Sequence, residues 1–371
     1  MNGEWWSALP PLPLPHEMQQ WDKQAVELGI LPEILMENAA AAAFRQLSAL
    51  CPRLAGKQVW LLMGSGNNGG DAACLARYLL DAGACPHVFH TRPLEHYRNE
   101  TAYHLRTALT CGVPFLPVAA LTETHLPHPD ILVDGLLGTG FSGQLRDDAR
   151  RLVSFVNELS PRPLILSLDV PSGLDATNGL PCPEAVKADM TVSFAAAKPG
   201  LMLPWARPYT GECHVGPIAM PAKVREEGPC SFRLLDGHAL TLLPAMTAAS
   251  YKNTYGHILV MGGRPGMCGA GHLAARGALR SGAGLVTAAM PAAGEDQVRM
   301  GWPEIMTLPL GDPGNRDWPA QLPDDLRQRL HQCRALVIGP GMGRGKDSHA
   351  FLAALLKEPE RPACVFDADA L

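Results

Sequence analysis

The sequence predicts two α/β domains in series, each a parallel sheet covered by helices on both faces. Three observations carry this. Short apolar runs alternate with helical periodicity from Gln58 to Leu168, the alternation restarts at His257 after a polar break, and 371 residues suffice for two sizeable cores. In the first domain, Met18, Trp21, Ala25 and Leu28 recur at helical spacing, and the Ala-rich stretch 35–47 is a strong helix former. Runs at 58–63, 87–90, 131–134, 164–168 and 190–193 read as strands, with helices at 72–81, 97–111 and 146–159. Residues 1–15, with their Leu-Pro run, read as an irregular extension, which sets the first domain at 16–222. Lys223, Arg225, Glu226 and Glu227 beside Gly228 and Pro229 mark a linker at 223–235. The second domain then occupies 236–371, with strands at 257–261, 285–289, 335–338 and 363–366 and helices at 270–281 and 324–332.

Composition narrows the function classes. A formal charge of −5 and the lack of a Lys/Arg cluster give no footprint for nucleic acid or for a membrane surface. No apolar run reaches 18 residues, so no transmembrane helix is expected. The ten cysteines form no C-x-x-C pair, which argues against a structural zinc site and for a reducing, cytoplasmic setting. The run Ala39–Ala43 suits close helix packing, and a homo-oligomer is expected.

The segment Gly64-Ser65-Gly66-Asn67-Asn68-Gly69-Gly70-Asp71 follows an apolar strand and opens a helix. It contains G-x-G-x-x-G, a weak dinucleotide signal by itself. Two features argue against a plain dehydrogenase. Asp71 would place a carboxylate where a pyrophosphate meets helix amides. The next strand ends His90-Thr91-Arg92, with no acidic reader for a ribose. Paired Asn and Gly suit a polar ligand together with a hard cation that prefers oxygen.

Two more strand ends carry chemistry. Strand 131–133 ends in Asp134, followed by Gly138-Thr139-Gly140-Phe141-Ser142-Gly143-Gln144, and strand 164–168 ends in Asp169, followed by Pro171-Ser172-Gly173. Carboxyl ends of parallel strands are where open α/β sheets bind ligands. With Met36-Glu37-Asn38-Ala39 and Lys198-Pro199-Gly200, these motifs resemble, in order, those of the NAD(P)H-hydrate epimerase (YjeF N-terminal) family over residues 16–222. The resemblance implies a Rossmann-like three-layer α/β/α domain that binds NAD(P)H hydrate and one potassium ion. Asn67, Asn68, Gly69, Gly70, Asp71 and Gly138, Thr139, Gly140, Phe141, Ser142, Gly143, Gln144 would hold the substrate. Asn68, Asp134 and Ser172 would ligate potassium, and Asp169 would contact the substrate as the catalytic acid/base. Ala72 stands where the family usually has Gly, and Gly135 where it usually has Ala. A nicotinamide oxidoreductase and a non-catalytic binding module on the same fold are the competing classes; the first lacks a ribose reader, and the second does not account for retained Asp169 and the Asn pair.

In the second domain, Lys252, Tyr255-Gly256-His257, Gly262-Gly263, Gly266-Met267, Gly282-Ala283-Gly284, Gly339-Pro340-Gly341-Met342-Gly343 and Asp367-Ala368-Asp369 resemble the ADP/ATP-dependent NAD(P)H-hydrate dehydratase family, which has a ribokinase-like α/β fold. There Ala270 and Gly341 would line the hydrate pocket. Asn253-Thr254 replaces the common Gly-Ser, and Tyr251 the common His. The family's His-Pro-Gly-Glu stretch, lysine-containing nucleotide loop and Gly-Thr-Gly-Asp stretch are not among these 371 residues. The expectation is therefore an incomplete ribokinase-like domain without its ADP phosphate site, as a fragment of a bifunctional repair enzyme or as an inactive half. On this expectation the chain alone does not dehydrate the S hydrate when supplied with ADP; turnover in that assay overturns it.

Overall fold

The computed structural model describes residues 9–123, 126–243, 245 and 247–371; residues 1–8 of the expected extension lie outside the described ones. The chain forms two compact units, divided in sequence between Leu243 and Pro244.

The first unit is a seven-stranded parallel sheet between helical layers. Its strands are β2 (Gln58–Met63), β3 (Cys85–His90), β4 (Phe115–Pro117), β5 (Ile131–Gly135), β6 (Leu164–Leu168), β7 (Met190–Phe194) and β8 (Glu212–Gly216), in the order β4-β3-β2-β5-β6-β7-β8. The central strands β5 and β6 are almost wholly buried, which explains their unbroken apolar sequence. The strand order reverses between β2 and β5. The loops leaving those two strands diverge there and open a crevice, the place where such sheets take ligands. Helix α1 spans Pro15–Glu27, α2 Pro32–Leu50, α3 Asn67–Asp81, α4 Asn99–Thr110 and α5 Asp147–Glu158.

Three features differ from the sequence expectation. The edge strands β4 and β8 were not expected: β4 has three residues and ends in Pro117, and β8 is largely polar, as suits edges. Helix α3 begins at Asn67, so the Asn-Asn-Gly-Gly-Asp segment is its first turn. Two glycines are tolerated there because a Cβ on Gly69 would lie 2.0 Å from the Gly64 carbonyl oxygen, and one on Gly70 would lie 2.5 Å from the Met36 sulfur. Finally, much of 9–15 and 223–235 is ordered onto the first unit. Strand β1 (Pro11–Leu12) pairs antiparallel with β9 (Phe232–Arg233). Fully buried Trp21 donates from Nε1 to the Pro229 carbonyl at 2.9 Å, and Glu17 accepts from both N and Oγ of Ser231. The charged stretch expected as a linker forms a short helix, α6 (Ala222–Glu227), with Val224 buried. Local composition does not reveal such long-range clasps.

The second unit is a five-stranded parallel sheet, β10 (His257–Met261), β11 (Leu285–Pro291), β12 (Met306–Leu310), β13 (Ala335–Ile338) and β14 (Ala363–Phe366), in the order β12-β11-β10-β13-β14. Strand β12 escaped the sequence pattern because Pro309 interrupts it. Helices α7 (Cys268–Arg280), α8 (Asp324–Gln332) and α9 (Lys346–Leu356) cover the sheet. No helix among the described residues is long and apolar enough to cross a membrane.

The two departures from the family pattern in the first unit face each other. A Cβ on Gly135 would lie 2.7 Å from the Ala72 Cβ and 2.9 Å from the carbonyl oxygens of Asn68 and Leu62, so the Ala72 methyl is one of three close neighbours that a strand methyl would meet. Gly135→Ala alone should cost about 1–3 kcal/mol by overpacking. Adding Ala72→Gly should recover part of that loss despite the helix penalty of glycine, about 1 kcal/mol. A double-mutant cycle by denaturant melting reads the coupling, and purely additive losses would contradict it.

Candidate active site

The crevice at the β2/β5 reversal is a cavity of about 1040 Å³, at the upper end of the range for cofactor-sized ligands. Of the expected substrate residues, Asn67, Asn68, Asp71, Gly138, Thr139, Gly140, Phe141, Ser142, Gln144 and Asp169 line it. Gly69, Gly70 and Gly143 do not: the first two serve helix packing, and Gly143 takes a positive φ of 82° in the turn. The cavity also has walls that sequence reasoning did not assign, among them Met18 and Asp22 from α1, Arg92, Phe194 and Lys198.

Beneath the cavity lies a nest of oxygen atoms. Asn68, 7% exposed, donates from Nδ2 to the carbonyls of Leu137 (2.6 Å) and Leu168 (3.1 Å). Carbonyls only accept, so these bonds identify the amide nitrogen and leave Asn68 Oδ1 as the buried oxygen without a hydrogen-bond partner. Asp134 is fully buried at the end of β5. Its carboxylate accepts from Ser172 Oγ (2.5 Å), Ser172 N (2.8 Å), Ser167 Oγ (2.9 Å) and Leu136 N (3.3 Å). Burial nevertheless pushes its carboxyl above the ordinary carboxylate value. Three strand ends thus place Asn68, Asp134 and Ser172 together.

Asp169 follows β6 with φ +61°, a conformation that L residues seldom take outside constrained sites. The turn is held by Asp169 N donating to the Val192 carbonyl at 2.8 Å. Its side chain is about 13% exposed and meets Lys198 Nζ at 2.5 Å through Oδ1. Lys198 is almost completely buried, and its other two donors go to Ser193 Oγ and the Phe194 carbonyl, each at 3.0 Å. All three ammonium protons are therefore used, which is how a buried lysine can stay charged. Thr139 N donates to Asp169 Oδ2 at 3.1 Å, tying the glycine loop after β5 to the same carboxylate. Burial is the strongest single influence on Asp169 and pushes its carboxyl up. The charge and hydrogen bond of Lys198, with the Thr139 and Phe194 amides, outweigh it, and the net direction is down. Asp71 moves the other way: burial, then the nearby charges of Asp169 and Asp22, raise it well above the ordinary carboxylate value. A more readily protonated Asp71 eases the repulsion that a charged carboxylate at the start of α3 would impose on a phosphate.

In the second unit, the glycine loop after β13 meets the start of α7. Gly341 has φ +65°, and a Cβ there would lie 2.9 Å from the Ala270 Cβ and 2.8 Å from the Met267 carbonyl oxygen. The two residues expected in that domain's pocket are neighbours beside its own strand reversal, between β10 and β13.

Comparison with known proteins gives a family for each half of the chain. Residues 32–200 match the YjeF-related protein N-terminus, and residues 258–371 match NAD(P)H-hydrate dehydratase. The chain is 34% identical to the bifunctional NAD(P)H-hydrate repair enzyme Nnr of Moorella thermoacetica, over 96% of this chain and 68% of that protein. It is 33% identical to the Nnr of Coxiella burnetii, over 96% and 69%. The chain belongs to the bifunctional NAD(P)H-hydrate repair enzyme family. It is also similar to the crystal structure of yeast ynu0, with 26% identity and a TM-score of 0.47, covering 51% of this chain and 82% of that one. Members of the repair family act on damaged, hydrated nicotinamide cofactors: the isomerase activity interconverts the R and S hydrates, and the lyase activity returns the S form to NAD(P)H. This chain carries the epimerase domain in its first unit and dehydratase-domain sequence in its second.

Within this repair enzyme the Asp169–Lys198 pair makes a testable electrostatic claim. Lys198→Met leaves a buried carboxylate without its cation, which costs about 3–5 kcal/mol at neutral pH. Asp169 with its lowered pKa contributes stability above the unfolded carboxylate value, and that contribution is lost as pH falls through the folded value. In the variant burial dominates, Asp169 prefers its protonated form, and acid relieves the penalty. The stability difference between parent and variant should narrow as pH falls from the variant's raised folded value toward the parent's lowered one. A difference that stays constant from neutral to acid pH in urea melts would show that the pair is not electrostatically coupled.

Proposed function

We propose that the cavity of the first unit is the epimerase centre and that Asp169 is its acid/base. The observation that supports this best is a carboxylate at a strand end, opening into the cavity, fixed from one side by Lys198 and from the other by the Thr139 amide. Epimerisation requires the ring hydroxyl to leave from one face and return on the other. A proton is needed as the hydroxyl departs as water, and one is released when water adds back. Asp169 favours its ionised form at rest, so it first takes up a proton from solvent, gives it as water leaves, recovers one as water adds to the other face and returns it to solvent, which closes the cycle without net change. Lys198, hydrogen-bonded to the same oxygen, steadies the ionised form between the two steps. Asn67, Asp71 and the 138–144 loop hold the rest of the dinucleotide.

A potassium ion would sit at Asn68, Asp134 and Ser172. The donor set is of the right kind: Asn68 Oδ1 is buried and unpartnered, and Ser172, bonded to the buried Asp134 carboxylate, shares Leu137 with Asn68 as a hydrogen-bond partner. Such an ion would supply positive charge beneath the substrate and lock the three loops together. In the second unit, Ala270 and Gly341 would line the hydrate pocket, and ADP or ATP would be the co-substrate of dehydration. A cytoplasmic setting and a homo-oligomer complete the proposal.

The test uses purified R and S hydrates. Asp169→Asn should lower kcat for their interconversion by about 10²–10⁴-fold, the usual worth of a positioned acid/base. Replacing potassium by tetramethylammonium at constant ionic strength should weaken the parent enzyme and leave Asn68→Ala indifferent. Parent-like turnover by Asp169→Asn removes Asp169 from the chemistry, and an equal response of parent and Asn68→Ala to potassium removes the ion from this site.

A further inference from the structure

In the helical layer of the first unit, among residues that do not themselves line the cavity, three ligand-type side chains converge from three helices. Glu37 comes from α2, Cys74 from α3 and His104 from α4, and their ligand atoms all lie within 4.8 Å of one another. Cys74 and His104 are each 1% exposed, whereas the Glu37 side chain is 37% exposed and opens the cluster to solvent. Cys74 Sγ lies 3.3 Å, and His104 Nδ1 3.6 Å, from the same oxygen, Glu37 Oε2.

The tautomer of His104 is settled by its other nitrogen. Nε2 lies 3.1 Å from the Glu33 carbonyl, an atom that can only accept, so Nε2 carries the proton in the neutral ring. Nδ1 then presents a lone pair. It is buried, has no hydrogen-bond partner, and faces a carboxylate oxygen that is also an acceptor. Glu37 Oε2 is met by Arg77 Nη2 at 2.6 Å and by the Cys74 thiol, so the buried His104 Nδ1 is the lone pair left without a positive partner.

We propose that Glu37, Cys74 and His104 form a binding site for a borderline divalent cation of the zinc class. Zinc bonds of about 2.0–2.3 Å imply ligand-to-ligand edges of about 3.3–3.8 Å in a tetrahedron, and both distances to Glu37 Oε2 fall within that range. Thiolate, imidazole and carboxylate suit zinc rather than magnesium or calcium. The fourth position lies on the solvent side, where Glu37 is exposed. Binding converts the Cys74 thiol to a thiolate and releases that proton to solvent. Arg77 stays on Glu37 as the outer partner that orients the carboxylate, through Nη2 at 2.5 Å from Oε1 and 2.6 Å from Oε2, and Tyr78 donates to Oε1 at 2.5 Å. The chain shows no C-x-x-C signature because each ligand comes from a different helix. A bound ion would staple α2, α3 and α4, and α3 is the helix whose first turn is Asn67–Asp71.

The full chain, stripped with chelator and kept reduced, is titrated with zinc by calorimetry and with cobalt by absorbance. The expected result is one equivalent bound, with a thiolate-to-cobalt charge-transfer band, and a rise in melting temperature with zinc. Cys74→Ser should remove the band, and His104→Ala should weaken zinc binding by more than about tenfold. Replacing exposed Cys111 by Ser should change neither. The parent measurement decides even if a variant fails to fold: absence of stoichiometric binding by the parent overturns the site. A charge-transfer band that persists in Cys74→Ser, or that disappears in Cys111→Ser, overturns it equally.

Discussion

The first unit depends on one buried amide. Asn68 sits in the first turn of α3 and donates to carbonyls in the loop after β5 and at the end of β6. Those two bonds draw the exits of neighbouring strands to a helix that follows a third, β2. Each carbonyl has a second donor as well, Ser172 Oγ at 3.4 Å for Leu137 and Val170 N at 2.7 Å for Leu168, so Asn68 ties together turns that are already hydrogen-bonded locally. The same geometry spends both amide protons and leaves the side-chain oxygen without a partner. Satisfaction of the backbone and readiness for a cation are two consequences of a single side chain in one orientation.

Above that floor, electrostatics divide the carboxylates. Asp169 and Asp71 line one cavity, yet their environments push them in opposite directions. Asp169 has a buried lysine whose every proton is engaged; Asp71 has burial and like charges. Separation of this kind is how one site can keep an ionised group beside a more readily protonated one. Lys198 is therefore as much a part of the proposed centre as the aspartate, because without it burial would decide the charge state of Asp169.

Much of the framework was legible in the sequence. Strands 58–63, 164–168, 257–261 and 335–338 fall where the apolar runs place them, since a buried parallel strand must be apolar on both faces, and 363–366 does so although it is an exposed edge. Edge strands β4, β8 and β12 were not legible, because an edge tolerates proline and polar residues and so loses the pattern. The β1–β9 pair joins residues more than 200 positions apart in sequence and has no local signature. Of the site, the Asn, Asp and Gly positions were readable as strand-end motifs. Lys198 was visible only as part of a Lys-Pro-Gly motif, and its role follows from its contact with Asp169.

By itself the sequence determined the class of sheet, the family and the set of polar residues at the strand ends, since these follow from local pattern and motif order. Only the tertiary structure decided what those residues do to one another. It turned the glycines at 69 and 70 into packing positions and set Asp169 against Lys198. It set the Ala72 methyl directly against Gly135, and it brought Glu37, Cys74 and His104 from three helices to one point. Each of these is a contact between residues distant in sequence, where charge, burial and excluded volume act through space; local composition and spacing record the residues but not their distances.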